Sequence, residues 1–159
     1  MTEHSVSNDV QQIRQLIEDR AAAMRDRNAA AIVSGYEPDA VTYDLAPPLG
    51  HVGEARFNEH GMRAWFDGFE GPIDYEVRDL GVTVDHDIAF CHSLNRLGTT
   101  PRGASRRFDL WFRATVCLRR TGDTWLIAHE HTSTPFYMDG SMRAAVDLTP
   151  ESAATADAR

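Results

Sequence analysis

The apolar residues of this chain change their spacing once, near residue 73, and that change limits the fold more than any other feature. Before it they recur at steps of three and four. Val10, Ile13, Ile17 and Met24, with Leu16 and Ala21, make a helical stripe from an Asn8/Gln11 capping-box start to about Arg27. Asn28 opens a short Ala-rich helix, Ala29 to Ser34, that Gly35 stops. Phe57, Met62, Trp65, Phe66 and Phe69 share one side of a third helix expected over Gly53 to Phe69. From Ile73 the period is two. Ile73, Tyr75 and Val77 have one parity and Leu80, Val82 and Val84 the other, which a bulge near Arg78–Gly81 would reconcile.

More strands follow. Ala40 to Asp44 is a short one, ended by Pro47, Pro48 and Gly50. Asp85-His86-Asp87 turns the chain into Ile88 to Leu97, and Gly98 to Ser105 is a hairpin loop. Arg106 to Arg120 then reads as one long strand, Thr121-Gly122-Asp123 as a tight turn and Thr124 to Ser133 as the last strand. Fifteen residues of strand span about 50 Å, more than a small domain holds flat, so the sheet must curl. Helices ahead of a run of strands imply α+β: a curved antiparallel sheet wrapped around a long N-terminal helix. Its cone leaves one open end, a natural small-molecule pocket. The domain is expected over residues 8–140, with disordered tails at 1–7 and 149–159.

Charge narrows the function. The net charge of -8 argues against nucleic-acid binding. All 16 basic residues are Arg, which excludes Lys Schiff bases, Lys general bases and a P-loop lysine. No apolar run is long enough to span a membrane, and the first residues lack a signal-peptide pattern, so a cytoplasmic protein is expected. Cys91 and Cys117 stand singly in apolar stretches and are expected to be reduced core residues.

Two motifs resemble a known family. Tyr36-Glu-Pro-Asp-Ala-Val-Thr-Tyr-Asp44, followed by His51-Val-Gly53, resembles the start of nuclear transport factor 2-like domains, which include steroid delta-isomerases and SnoaL-like polyketide cyclases. Arg113-Ala-Thr115 and Gly122 through Pro135 resemble the closing hairpin of SnoaL-like proteins, and also the association domain of calcium/calmodulin-dependent kinase. The resemblance spans about residues 9–137. It implies the cone fold and places Asp44 where the isomerases hold their general base. Where they carry an oxyanion-binding Tyr and Asp, ungapped counting places Arg20 and Thr115.

The candidate catalytic groups are Asp44, Glu130 and His131. Asp44 lies in an apolar context that raises a carboxyl pKa; its alternative role is to cap the following turn. On a strand His129 and His131 share one face and Glu130 takes the other. Parity alone does not say which face lines the cone, and counting from Trp125 against the isomerase pattern favours an outward His pair. Candidate substrate contacts are Tyr36, Trp65, His92, Trp111, Arg113, Thr115 and His129. Arg113 between aromatics suits a carboxylate or enolate, and a cross-sheet ion pair is its structural alternative. These readings lead to a cofactor-independent enzyme that removes a proton next to a carbonyl. The alternatives are a ligand-binding or assembly module, and a metal-dependent hydrolase or oxygenase using His129, His131 and His92 or His51. A small apolar or acidic molecule and a second copy of the chain are the expected partners, with no metal.

Overall fold

The computed structural model describes residues 3–53 and 58–152. The elements are α1 (Glu3–Arg25), α2 (Ala29–Val33), β1 (Tyr36–Tyr43), β2 (His51–Val52), α3 (Glu59–Asp67), β3 (Phe69–Asp85), β4 (Ile88–Pro101), β5 (Phe108–Thr121) and β6 (Thr124–Ser133). The strands form one six-stranded sheet in the order β2-β1-β6-β5-β4-β3. It is not uniformly antiparallel as expected, because β1 and β6 pair in parallel. A long crossover separates these two strands in sequence, and that is what a parallel pairing needs.

The sheet bends where its register slips. β3 shifts between Glu70 and Asp74 and again between Arg78 and Gly81, the second at the bulge expected from the parity change. β6 carries one extra residue, Ala128: Leu118 faces Ile127, but Cys117 faces His129. The curved inner face receives α1. Ile13 and Ile17 pack with Ala89, Cys91, Val116, Leu118, Trp125 and Ile127 in one core cluster. Ala23, Ala29, Ile32, Phe66, Ile73, Leu97 and Phe112 form a second, toward α2 and α3.

Several boundaries differ from the sequence reading. α1 begins at Glu3 rather than Asn8, so Glu3–Ser7 are helical where fraying was expected. Val6, four residues before Val10, extends the apolar stripe and is half-buried. Asn28 caps α2 as expected, accepting a bond from the Ala31 N–H. The cap of α3 is Asn58, whose side chain accepts from Gly61 at 2.8 Å; Phe57 of the expected stripe lies outside the described residues. That helix ends at Asp67 because Phe69 pairs with Pro101 and already belongs to β3. The same pairing carries β4 through Gly98–Pro101, expected as loop. Pro150–Ser152 form a helical turn, and Glu151 bonds Arg78 at 2.6 Å; residues 153–159 of the expected tail are outside the description. Both cysteines are free, Cys91 buried and Cys117 half-buried. No described helix is long and apolar enough to cross a membrane.

Candidate functional site

Between α1, α3 and the inner face of the sheet lies a cavity of about 350 Å³. Its walls are mostly apolar, including Ile17, Met24, Leu97, Phe112 and Val116. Its polar groups come from distant parts of the chain: Arg20 on α1, Tyr36 at the start of β1, Asp44 just after β1, Tyr75 on β3, Ser93 and Asn95 on β4, Glu130 and Thr132 on β6. A mostly apolar chamber with a few convergent polar groups is the usual form of a small-molecule site.

At its inner end stands a closed triad. Arg20 Nη1 donates to Glu130 Oε2 at 2.9 Å, and Arg20 Nη2 donates to the Tyr36 hydroxyl at 2.5 Å. The Tyr36 hydroxyl donates in turn to Glu130 Oε1 at 2.8 Å. The ionised side chains are 20% and 14% exposed. Burial alone would raise the Glu130 pKa, but the Arg20 charge and the bonds from Arg20 and Tyr36 outweigh it and hold the carboxyl below its ordinary value. Burial opposes the Arg20 charge too, yet Glu130 beside it shifts the guanidinium upward. Tyr36 is raised well above the ordinary phenol value, first by burial. Glu130 is therefore a fixed anion at neutral pH and not a proton donor.

A second chain of bonds crosses the wall. Ser93 Oγ donates to Asn95 Oδ1 at 2.7 Å, and Asn95 Nδ2 donates to the Tyr75 hydroxyl at 3.0 Å. Burial, with the Glu130 charge adding to it, pushes the Tyr75 pKa up to about 12, so the phenol keeps its proton.

Asp44 lines the cavity on the loop that follows β1. Its Oδ2 lies 3.2 Å from His51 Nε2, with side chains 36% and 13% exposed. The pairing follows from the β1–β2 hairpin, in which Thr42 faces His51 across the strands. Burial raises the Asp44 pKa, the Glu130 charge raises it further, and His51 opposes both. The loop also holds the cis peptide between Pro47 and Pro48. Leu45 and Ala46 from this loop, with Asn58, Met62 and Trp65 near and on α3, complete the lining.

Four sequence candidates thus meet in one chamber: Asp44, Glu130, Tyr36 and Trp65. The other six lie off it. Phe112, Ala114 and Val116 are buried, so the alternating Trp111, Arg113 and Thr115 face outward. Arg113 donates to Ser133 Oγ at 3.2 Å, and Arg78 lies over the Trp111 ring. His92 is exposed and covers Gly81, where a Cβ would lie 2.6 Å from its imidazole. His129 and His131 also face away from the cavity. Both rings stack edge-on against Tyr43, and His129 Nδ1 is 2.7 Å from the Val41 carbonyl.

The extra residue Ala128 explains this. Trp125 and Ile127 are buried inward, and strict alternation from them would carry His129 and His131 inward as well. The bulge flips the parity and puts Glu130 and Thr132 inside. Among the described residues no three His, Cys, Asp or Glu are grouped to hold a metal ion. Sequence reasoning gave Arg20 only as a positional substitute, missed Tyr75, Ser93 and Asn95, and named His51 only as a possible metal ligand. Parity was a usable signal for Tyr75, Ser93 and Asn95.

Comparison with known proteins agrees with this architecture. A family model described as a SnoaL-like domain matches residues 13–137. A nuclear transport factor 2-like protein of unknown function from Pseudomonas putida is 34% identical, with 94% of this chain and 99% of that one covered and a TM-score of 0.78. A candidate scytalone dehydratase from Novosphingobium aromaticivorans is 12% identical over 91% of this chain and 95% of its own, TM-score 0.75. A ketosteroid isomerase-like protein from Erwinia carotovora atroseptica is 19% identical over 76% and 92%, TM-score 0.60. The last two likenesses are of fold alone. Among curated proteins none matches. On the family match over residues 13–137 and the 34% identity across nearly the whole chain, this protein belongs to the SnoaL-like domain family.

Proposed function

We propose that the protein is a cofactor-independent enzyme in which Asp44 moves a proton next to a carbonyl group of a small apolar ring compound. The observation that carries this reading is Asp44 itself: a carboxylate on the cavity wall, raised in pKa by burial and by Glu130 and backed by His51 at 3.2 Å. A base of raised pKa keeps more affinity for the proton it removes, while enough of it stays ionised near neutrality to act. His51 orients the carboxylate, and its buried Nδ1 has no hydrogen-bond partner among the described residues.

In the step, an Asp44 oxygen takes the proton, the C–H bond breaks, and its electron pair moves onto the carbonyl as an enolate. Where the enolate is conjugated with a neighbouring carbon–carbon double bond, return of the proton to the far end of that bond moves the double bond and completes an isomerisation. Loss of a β-hydroxyl from the enolate, assisted by the same proton, completes a dehydration. The solved neighbours named as isomerase-like and as a candidate dehydratase are compatible with either outcome. A carboxylate-binding module fits less well, because Glu130 already occupies the Arg20 guanidinium.

The test is exchange of the α-protons of an apolar bicyclic ketone, 2-tetralone, in deuterated water, followed by proton NMR. The native protein is expected to accelerate exchange. Asp44→Asn should lose about hundredfold or more, the contribution usual for a positioned acid–base group. Unchanged exchange in a folded Asp44→Asn protein would remove Asp44 from the chemistry.

A further inference from the structure

We infer that Tyr75, with the Nε–H of Arg20, is the receptor for an uncharged carbonyl or phenolic oxygen of the ligand. For the reaction this rests on the acid–base reading of Asp44; for binding it stands by itself. The Ser93–Asn95–Tyr75 chain has a direction. Each member donates to the next, and it ends with the Tyr75 oxygen as acceptor. The Tyr75 O–H is thus left to donate, and it has no acceptor among the described residues. Arg20 Nε is buried, also without a partner. Both residues line the same cavity, and a buried donor without an acceptor costs free energy that a ligand oxygen recovers.

The surrounding charge selects the kind of oxygen. Glu130 neutralises Arg20, so the receptor offers donors without net positive charge. A carboxylate there meets the Glu130 anion, whereas a ketone or phenol meets only N–H and O–H groups. Ile17, Ala21, Met24, Leu97, Phe112 and Val116 give the remainder of the ligand an apolar wall. Asn95 is 7% exposed and held at both ends, so the Tyr75 hydroxyl is fixed before a ligand arrives. During proton removal by Asp44, the same two donors would keep their hydrogen bonds to that oxygen as charge shifts onto it, working against the Glu130 anion.

Binding of 2-naphthol, naphthalene and 2-naphthoate, read by ligand fluorescence, tests this. The native protein should prefer 2-naphthol to naphthalene by about tenfold, the worth of one good buried hydrogen bond, and should bind 2-naphthoate less well than 2-naphthol. Tyr75→Phe should remove most of the preference for the hydroxyl, leaving what the Arg20 Nε–H supplies, and leave naphthalene binding as it was, which also reports an intact fold. Ser93→Ala, which releases Asn95, should reduce the preference by a smaller factor and serves if Tyr75→Phe does not fold. Asp44→Asn should keep the preference, so a failure of the exchange chemistry and a failure of the receptor are read separately. A Tyr75→Phe protein that prefers 2-naphthol as strongly as the native protein does, or a native protein that binds 2-naphthol and naphthalene alike, would overturn the assignment.

Discussion

Replacing Glu130 by Gln removes the anion that neutralises Arg20 while keeping the shape of the side chain. The amide oxygen still accepts from Tyr36, so the loss is concentrated on one uncompensated guanidinium, 20% exposed and facing the cavity. Breaking a fully buried pair from one side costs about 3–5 kcal/mol, and the residual exposure to the cavity places this pair at about 3 kcal/mol. For a domain of this size that is a fall in Tm of roughly 6–12 °C. Arg20→Met combined with Glu130→Gln removes both charges and should recover more than half of the loss. The assay is urea unfolding of the native protein, both single variants and the double variant, followed by circular dichroism. The pH dependence carries a second signature. The Glu130 carboxyl is held below its ordinary 4.5 in the fold, so its stabilisation is complete above that value and is lost as pH falls through the lower, folded value. The gap between native protein and Glu130→Gln should therefore close in acid. A Glu130→Gln variant within about 0.5 kcal/mol of native stability at pH 7, where surface substitutions fall, would refute the reasoning, and so would a double variant that costs the sum of the singles.

Three further outcomes follow from the same geometry. Asp44→Asn should raise Tm at pH 7, because a carboxyl with raised folded pKa opposes folding when ionised; the gain should vanish below the ordinary Asp value of 3.8. Arg113→Ala should leave 2-tetralone exchange unchanged, since the side chain sits on the outer face with Ser133; a large loss would bring that face into the site. Ile127→Ala, at a side chain 0% exposed in the main core, should cost about 2–5 kcal/mol in urea unfolding, and a cost under about 1 kcal/mol would mean that this core is not packed as described.

Much of the fold was legible because it rests on local spacing. The Thr124–Ser133 strand, the Asp85–Asp87 turn, the Asn28 cap and the Arg78–Gly81 bulge each follow from a few neighbouring residues. The sites of disagreement depend on pairing between distant segments. Gly98–Pro101 looks like loop until Phe69 and Glu70 pair with it. Asp44 was found through its surroundings and motif, but its partner His51 is brought to it by a hairpin. Arg20 and Glu130 are 110 positions apart, and nothing local to either announces the other. The outward face of His129 and His131 agrees with the count from Trp125 against the isomerase pattern, but its cause, the extra residue Ala128, was not legible, because an alanine gives no composition signal for a bulge. Parity read along β3 and β4 would have picked out Tyr75, Ser93 and Asn95. Neither an amide, a hydroxyl nor a phenol on an inward face differs by composition from ordinary core polarity, so parity marks their face and not their role.

The most direct measurement is a carbon-13 NMR titration of the Asp44 carboxyl in protein labelled at aspartate, with Asp44→Asn used for assignment. The account predicts a midpoint above 3.8 that moves down in Glu130→Gln, where a neighbouring anion is lost, and up in His51→Asn, where the opposing imidazole is lost. A midpoint at or below the ordinary value, unmoved by either substitution, would contradict it.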